Sequence, residues 1–111
     1  MFALERKGGL ESIINNIYQT FSSIDVYETI EEKASNLLYL IVKNHVFIDG
    51  NKRIGATLFI YFLYTNDILY KNNSPIIENN TLAALTLMVA ESASDEKDII
   101  VNLIMNFLLC N

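Results

Sequence analysis

A polar stretch between two long apolar segments is the feature that most constrains the fold of this chain. The first segment covers residues 37–42, and the second covers residues 54–64 with hardly a polar side chain. Between them, residues 45–53 bring His, Asp, Asn, Lys and Arg together. Apolar residues at helical spacing predict helices that pack into a core. A polar loop that joins two such helices indicates chemistry, and the functional hypotheses begin there.

The composition fits a single domain over residues 1–111. Of the 111 residues, 51% are hydrophobic, which is ample for a core. A single cysteine, Cys110, excludes an internal disulfide. The net charge of −5 argues against a nucleic-acid partner, because nucleic acids are bound by basic surfaces.

The sequence also gives no sign of a membrane partner. Residues 1–7 lack the apolar core of a signal peptide. The apolar runs at 54–64 and 99–110 are shorter than the roughly 20 residues that span a bilayer. We therefore expect a cytoplasmic protein. The abrupt start of the chain also fits a domain taken from a longer protein.

The first half of the chain predicts a helix, a hairpin and a second helix. A short helix follows Gly8-Gly9, with isoleucines on one side. β-branched and aromatic residues between positions 18 and 27, interrupted by Ser22-Ser23, are typical of two short strands around a turn. Thr29 and Glu32 have the spacing of a capping box, which predicts a helix from about residue 30 to 43.

The second half predicts three further helices. The first covers about residues 52–66; it is apolar nearly all round, so we expect it at the buried centre of a bundle. Residues 68–70 form a short extended piece and residues 71–75 a loop. Two helices follow, at about 81–92 and 96–110. The predicted class is all-α, a helical bundle around a central buried helix with a small β-hairpin.

Within the polar loop, Lys52 and Arg53 are predicted to lie in the first turn of a helix. Unpaired N–H groups give that end of a helix partial positive charge, so two cations there are unfavourable unless an anion binds. Phosphate suits the site, because N–H groups and a guanidinium can share its oxygens. Gly50 would let the backbone approach the anion closely. Asn51 could donate to an anion oxygen or hold the loop.

His45 and Asp49 complete the set of candidate residues. Histidine titrates near neutral pH, so His45 is the natural general base. Asp49 could hold Mg²⁺, which takes few protein ligands and usually contacts phosphate oxygens as well. Structural roles stand as alternatives. His45 could bond only the last carbonyls of its helix, Asp-Gly-Asn could be only a turn, and Lys-Arg only a solvated first turn.

Residues 45–53 resemble the signature of the Fic/Doc family. That signature is His-x-Phe-x-Asp/Glu-Gly/Ala-Asn-Gly/Lys-Arg, and this chain has His-Val-Phe-Ile-Asp-Gly-Asn-Lys-Arg. The order of predicted elements is also similar to the family fold over essentially the whole chain. That fold is an all-α bundle with a β-hairpin flap. The resemblance implies transfer of a phosphate-containing group, most often AMP from ATP, to a Ser, Thr or Tyr hydroxyl of a target protein.

The resemblance also implies a role for each residue of the motif. His45 would be the general base that deprotonates the target hydroxyl, and Asp49 would hold Mg²⁺ on the nucleotide phosphates. The residues implied in binding the phosphates of ATP, or of another nucleotide, are Gly50, Asn51, Lys52 and Arg53. The flap, which would align the target segment by strand pairing, comprises Phe21, Ser22, Ser23, Ile24, Asp25, Val26 and Tyr27.

Some positions depart from the AMP-transferring members of the family. Those members usually carry Gly where Lys52 stands, and a second Arg where Ala56 stands. Lys52 resembles the Doc toxins, which are protein kinases, although these tend to have Ala in place of Gly50. This combination of Lys52, Ala56 and Gly50 slightly favours Doc-like phosphoryl transfer over AMP transfer (AMPylation). A catalytically weak nucleotide-binding interaction module is a further alternative, favoured by Ala56.

Inhibition of such an enzyme is expected to come from outside residues 1–111. Many family members carry an inhibitory helix with the pattern Ser/Thr-x-x-x-Glu-Gly/Asn. Ser92 and Glu96 have that spacing, but Lys97 follows, and we interpret the segment as a junction between helices. An antitoxin or another inhibitory partner, or a segment outside these 111 residues, is therefore expected to inhibit it.

Overall fold

The computed structural model describes residues 8–110, apart from the side chain of Phe21. The α-helices in that part of the chain are α1 (Gly9–Ile17), α2 (Ile30–Asn44), α3 (Asn51–Thr65), α4 (Asn79–Glu91) and α5 (Lys97–Leu109). The strands are β1 (Thr20–Phe21), β2 (Ile24–Asp25), β3 (Tyr70–Lys71) and β4 (Ser74–Pro75). β1 pairs with β2, and β3 with β4, both antiparallel. The predicted all-α bundle with a small β-hairpin is confirmed.

The central helix of the bundle is α2, and the assignment of that place to the 52–66 segment was wrong. All residues from 33 to 42 are buried, and α2 packs against α1, α3, α4 and α5. In α3, Gly55, Phe59 and Leu63 are buried, whereas Tyr61 and Tyr64 are 63% and 60% exposed. A central buried helix exists as predicted, but it is the helix that precedes the polar loop.

The central position of α2 could not be predicted from its apolar periodicity, because polar residues interrupt that pattern. Ser35 Oγ donates to the carbonyl of Glu31 at 2.8 Å, and Asn36 Nδ2 donates to the carbonyl of Glu32 at 2.9 Å. Both side chains are buried. Because their hydrogen bonds are made within the helix, they need no water and can face other helices.

The start of α2 follows the capping pattern. Thr29 Oγ1 accepts a hydrogen bond from the N–H of Glu32 at 3.0 Å. Glu32 Oε1 in turn accepts from the N–H of Glu28 at 2.9 Å. These bonds pair N–H groups at the start of the helix that have no partner within it. The predicted cap is confirmed, and α2 ends at Asn44, one residue beyond the prediction.

A close approach between α2 and α3 fixes the position of the loop that joins them. A Cβ added to Gly55 would lie 2.9 Å from Val42 Cγ2 and 3.4 Å from Ile41 Cγ2. Glycine is therefore required for the two helices to pack this closely. The short connection, residues 45–50, then has little freedom at either end.

A second hairpin lies where the sequence predicted an extended piece and a loop. Its turn residues Asn72 and Asn73 have φ of 54° and 66°, the same values as Ser22 and Ser23 in the first hairpin. Such left-handed turns match the twist of two paired strands, and Asn adopts them readily. Pro75 weakens the strand signal in the sequence, although an edge strand tolerates it.

The last two helices meet at a junction that the sequence located. α4 ends at Glu91, and a 3₁₀ helix at Ser94–Glu96 leads into α5. There Glu96 Oε1 accepts the N–H of Ala93 at 2.6 Å. α4 begins at Asn79, two residues before the predicted start, and the side chain of Glu78 does not cap it. No helix within residues 8–110 has the length and apolar character needed to cross a membrane.

Candidate functional site

His45 ends α2 and begins the loop that carries the predicted site residues. Its backbone is left-handed, with φ 49° and ψ 55°, and its side chain is exposed. Histidine is one of the few residue types found there with some frequency. The next two residues turn inward, with Val46 3% and Phe47 7% exposed. Because these neighbours are anchored in the core, His45 is presented at the surface at a defined point.

Asn51 closes the loop through hydrogen bonds to both the N–H and the carbonyl of Phe47. Its Oδ1 accepts the N–H of Phe47 at 2.8 Å, and its Nδ2 donates to the carbonyl of Phe47 at 2.8 Å. Both residues are buried. Of the two roles open to Asn51, holding the loop is the one that these bonds perform. A contact between Asn51 and a phosphate stays a prediction.

The start of α3 is positively charged and has no side-chain cap. Gly50 precedes it with φ 76°, and a Cβ added there would lie 2.9 Å from Arg53 Nη2. The guanidinium therefore folds back over the glycine, next to the first turn of the helix. Lys52 is exposed in the same turn. N–H groups, a guanidinium and an ammonium at one helix start form a surface suited to an anion.

Asp49 is an exposed carboxylate directly before this helix start. Its Oδ1 accepts the N–H of Gly50 at 2.8 Å. Across residues 8–110, no group of three or more His, Cys, Asp or Glu side chains could hold a metal ion together. Mg²⁺ often takes one or two carboxylates and completes its shell with water and phosphate oxygens. One carboxylate beside an anion site fits that requirement, and the metal-binding role of Asp49 stays a prediction.

A groove between α3 and α4 opens beside the positive helix start. Its volume is about 390 Å³. The residues that line it are Lys52, Arg53, Ala56, Ala83, Thr86 and Leu87. The small side chain of Ala56 leaves this space open next to the two cations. α4 was not among the elements predicted to form the site, because contact between α3 and α4 depends on tertiary packing and no local signal marks it.

The first hairpin occurs where the flap was predicted, with its turn at Ser22 and Ser23. Ile24 and Val26 are 62% and 44% exposed, so this hairpin offers apolar side chains to the surface. The side chain of Phe21, also assigned to the flap, lies outside the described part. Docking of a target on this hairpin stays a prediction.

The first hairpin is joined to α2 by Lys33. The Nζ of Lys33 lies 3.1 Å from Asp25 Oδ2 and also donates to the carbonyl of Tyr27. Tyr27 in turn donates from its hydroxyl to Asn16 Oδ1 of α1 at 3.3 Å. The hairpin is thus linked to the same helix that ends at His45.

Comparisons with known proteins agree with the motif. A family model described as the Fic/DOC family matches residues 2–63, which include the whole loop between α2 and α3. A protein named Toxin Doc, from Mycolicibacterium smegmatis, is 31% identical over 61 residues. The aligned part covers 55% of this chain and 47% of that relative, so the chain spans about half of the relative's length. No solved structure matches the chain significantly.

Proposed function

This chain belongs to the Fic/DOC family, and from that premise we propose that it is a Doc-like toxin enzyme that phosphorylates a target protein. The reaction moves the γ-phosphoryl group of ATP, or of another nucleotide, to a Ser, Thr or Tyr hydroxyl. The observation that carries the proposal is the loop after α2. There the bonds of Asn51 to Phe47 hold a surface histidine close in the chain to an uncapped, positively charged helix start.

In the proposed reaction His45 is the general base. Its imidazole accepts the proton of the target hydroxyl while the hydroxyl oxygen bonds to the γ-phosphorus, and the bond to the leaving ADP breaks. Lys52, Arg53 and the first N–H groups of α3 bind phosphate oxygens and offset their charge. Asp49 would hold Mg²⁺, which supplies further positive charge at the phosphates.

Lys52 and Ala56 favour phosphoryl transfer over AMP transfer. Lys52 matches the Doc form of the motif, and Ala56 leaves open the groove beside the helix start where AMP-transferring members usually carry an arginine. Gly50 favours the second candidate, AMP transfer, because Doc toxins tend to have Ala at this position. Its φ of 76° is one that glycine adopts without strain.

Transfer of label from ATP tests the proposal. The purified protein is incubated with a lysate of the expression host and with ATP labelled in either its α- or its γ-phosphate. We expect a labelled protein band from γ-labelled ATP and none from α-labelled ATP. The reverse pattern would favour AMP transfer. ATP binding by calorimetry without label on any protein would favour an interaction module that has lost turnover.

Replacement of His45 tests the assigned base. Asn tolerates the left-handed backbone of this position and cannot act as a base of comparable strength, so His45→Asn isolates the chemistry better than His45→Ala. We expect either variant to lower the initial rate of transfer by about two to four orders of magnitude. An unchanged thermal midpoint of His45→Asn is the control for folding. Wild-type rates in a folded variant would contradict the assignment.

An inhibitory partner follows from the same proposal. The matched relative is named a toxin, and the segment Ser92–Glu96 forms a helix junction rather than an inhibitory helix. We propose that an antitoxin or similar protein restrains the enzyme in the cytoplasm, where its target lies. Expression of the wild type alone should arrest growth of the host, and expression of His45→Asn should not.

A further inference from the structure

Lys33 is a buried lysine whose charged end faces the first hairpin. The residue is 4% exposed. Its Nζ lies 3.1 Å from Asp25 Oδ2 and donates to the carbonyl of Tyr27. The ring centroid of Tyr18, which lies just before β1, is 5.9 Å from the same nitrogen. All these partners belong to the hairpin or its flanking residues, so the ammonium of one α2 residue is satisfied by the hairpin.

The two hairpins are held to the bundle in different ways. The second is flanked by the buried apolar residues Leu69, Ile76 and Ile77. In the first, Ile24 and Val26 are largely exposed, at 62% and 44%. Apolar burial therefore anchors the second hairpin, whereas the first hairpin has, among its described side chains, only the partly buried Tyr27 against the core and is also tied to α2 by the bonds to Lys33.

We propose that Lys33 is a positioning residue for the target: it holds the first hairpin in the place where an extended segment of the target protein pairs with it. The inference rests on the proposed function, because docking matters only if a protein hydroxyl is modified. α2 carries Lys33 near its first residue and is followed by His45 at its end. One helix therefore connects the docking hairpin to the base, over roughly 18 Å along its axis.

Because Lys33 is buried, its hydrogen bonds restrict where the first hairpin can lie. An ammonium shielded from water is unfavourable unless acceptors surround it, so hairpin positions that supply both acceptors are preferred over neighbouring ones. The carboxylate of Asp25 is 49% exposed, so the ion pair by itself is weak. The charge-assisted bond to the Tyr27 carbonyl adds direction, because it ties the backbone that leaves β2.

Hydrogen exchange tests the position of the hairpin without an activity assay. The amide of Val26 donates to the Gln19 carbonyl across the first hairpin, and the amide of Ile76 donates to the Leu69 carbonyl at the matching place in the second. We expect Lys33→Met to raise the exchange rate of the Val26 amide by about tenfold or more. The Ile76 amide should keep its rate.

Lys43 supplies a matched control on the same helix. Its Nζ donates to the carbonyls of Ala90 and Ser92 at the end of α4, so it also bonds backbone oxygens, but away from the hairpin. Lys43→Met should leave the exchange rate of the Val26 amide unchanged. An equal rise in both variants would show a general loss of stability and would overturn the assignment to Lys33.

Steady-state labelling then separates positioning of the target from binding of the nucleotide. A lysate of the expression host is titrated as the source of target, with ATP carrying the transferred label. Lys33→Met should raise the lysate concentration for half-maximal labelling by about tenfold. The half-saturating ATP concentration and the limiting rate should stay close to the wild-type values. Lys33→Arg, which keeps the charge, should restore most of the loss.

Asp25→Asn keeps the test decisive if Lys33→Met fails to fold. It removes the ion pair and leaves the Tyr27 bond, so it should shift both readouts in the same direction by a smaller factor. An unchanged Val26 exchange rate, or a looser hairpin with unchanged half-maximal labelling, would overturn the inference. Wild-type protein that labels nothing would instead contradict the proposed function, and the Val26 and Ile76 amides would still decide whether Lys33 fixes the hairpin.

Discussion

The site depends on a small number of side chains with separate tasks. Asn51 makes two hydrogen bonds to Phe47 and thereby closes the loop, which leaves His45, Asp49 and the start of α3 in fixed places. Arg53 lies over Gly50, where any Cβ would meet its guanidinium. The residues proposed for chemistry are exposed, whereas the residue that orders them is buried.

Asn51→Ala should lower both stability and activity. The variant removes the two hydrogen bonds that Asn51 makes to the N–H and carbonyl of buried Phe47, which costs about 2 kcal/mol in the free energy of unfolding. Urea denaturation measures this loss, and label transfer should fall because His45 and Asp49 are no longer held. Asn66→Ala is the matched control, since Asn66 Nδ2 makes one bond to the Phe62 carbonyl at the far end of α3. If both variants kept wild-type transfer rates, the loop-closing role would be contradicted.

Among the elements, the two hairpins share backbone geometry and differ in their turn residues. Ser22 and Ser23 adopt left-handed φ in the first hairpin, and Asn72 and Asn73 adopt the same angles in the second. A left-handed backbone is disfavoured for most residues, but its energetic cost is small for Asn. The hairpin proposed to dock the target therefore has the less favourable turn sequence.

Ser23→Gly should stabilise the protein slightly. Relief of the left-handed strain at φ 66° exceeds the entropy that glycine costs, for a net gain of about 0.5 kcal/mol in the free energy of unfolding. Asn73→Gly, at the same φ, should give a smaller gain because Asn already tolerates it. Thermal unfolding of both variants measures the difference. A larger gain for Asn73→Gly than for Ser23→Gly would count against this account of the turns.

At the scale of the whole molecule, α2 organises the bundle and the site together. It packs against the other four described α-helices, holds the first hairpin through Lys33, and ends directly before His45. α3 begins with the positively charged turn that is proposed to bind phosphate, and much of its surface is exposed. The site therefore lies at the junction between a buried helix and a partly exposed one.

Truncation of core side chains tests which helix is central. Leu38 in α2 is fully buried, so Leu38→Ala should lower the free energy of unfolding by about 2–5 kcal/mol. Leu58 in α3 is only partly buried, and Leu58→Ala should cost less than half as much. Urea denaturation compares the two. Equal losses would contradict the difference in burial between these two positions of α2 and α3.

Some local signals in the sequence were reliable, although the second hairpin was missed because Pro75 weakens its strand signal. Long-range packing could not be predicted from the sequence. The Thr29 cap and the first hairpin depend on neighbouring residues, so their patterns predicted them. The polar motif likewise predicted the loop between α2 and α3, while the roles of its residues stay predictions. Which helix is central depends on how whole helices pack, and buried Ser35 and Asn36 made α2 look more polar than α3. The groove beside Ala56 needs α4, which the polar loop alone could not reveal.

In the proposed reaction, His45 activates a protein hydroxyl to receive a phosphoryl group. The most direct test is the intact mass of the labelled target protein, measured by mass spectrometry after reaction with the wild type and with His45→Asn. We predict a mass gain of one phosphoryl group with the wild type and no gain with His45→Asn. A gain of one AMP group, or the same gain with His45→Asn, would contradict the claim.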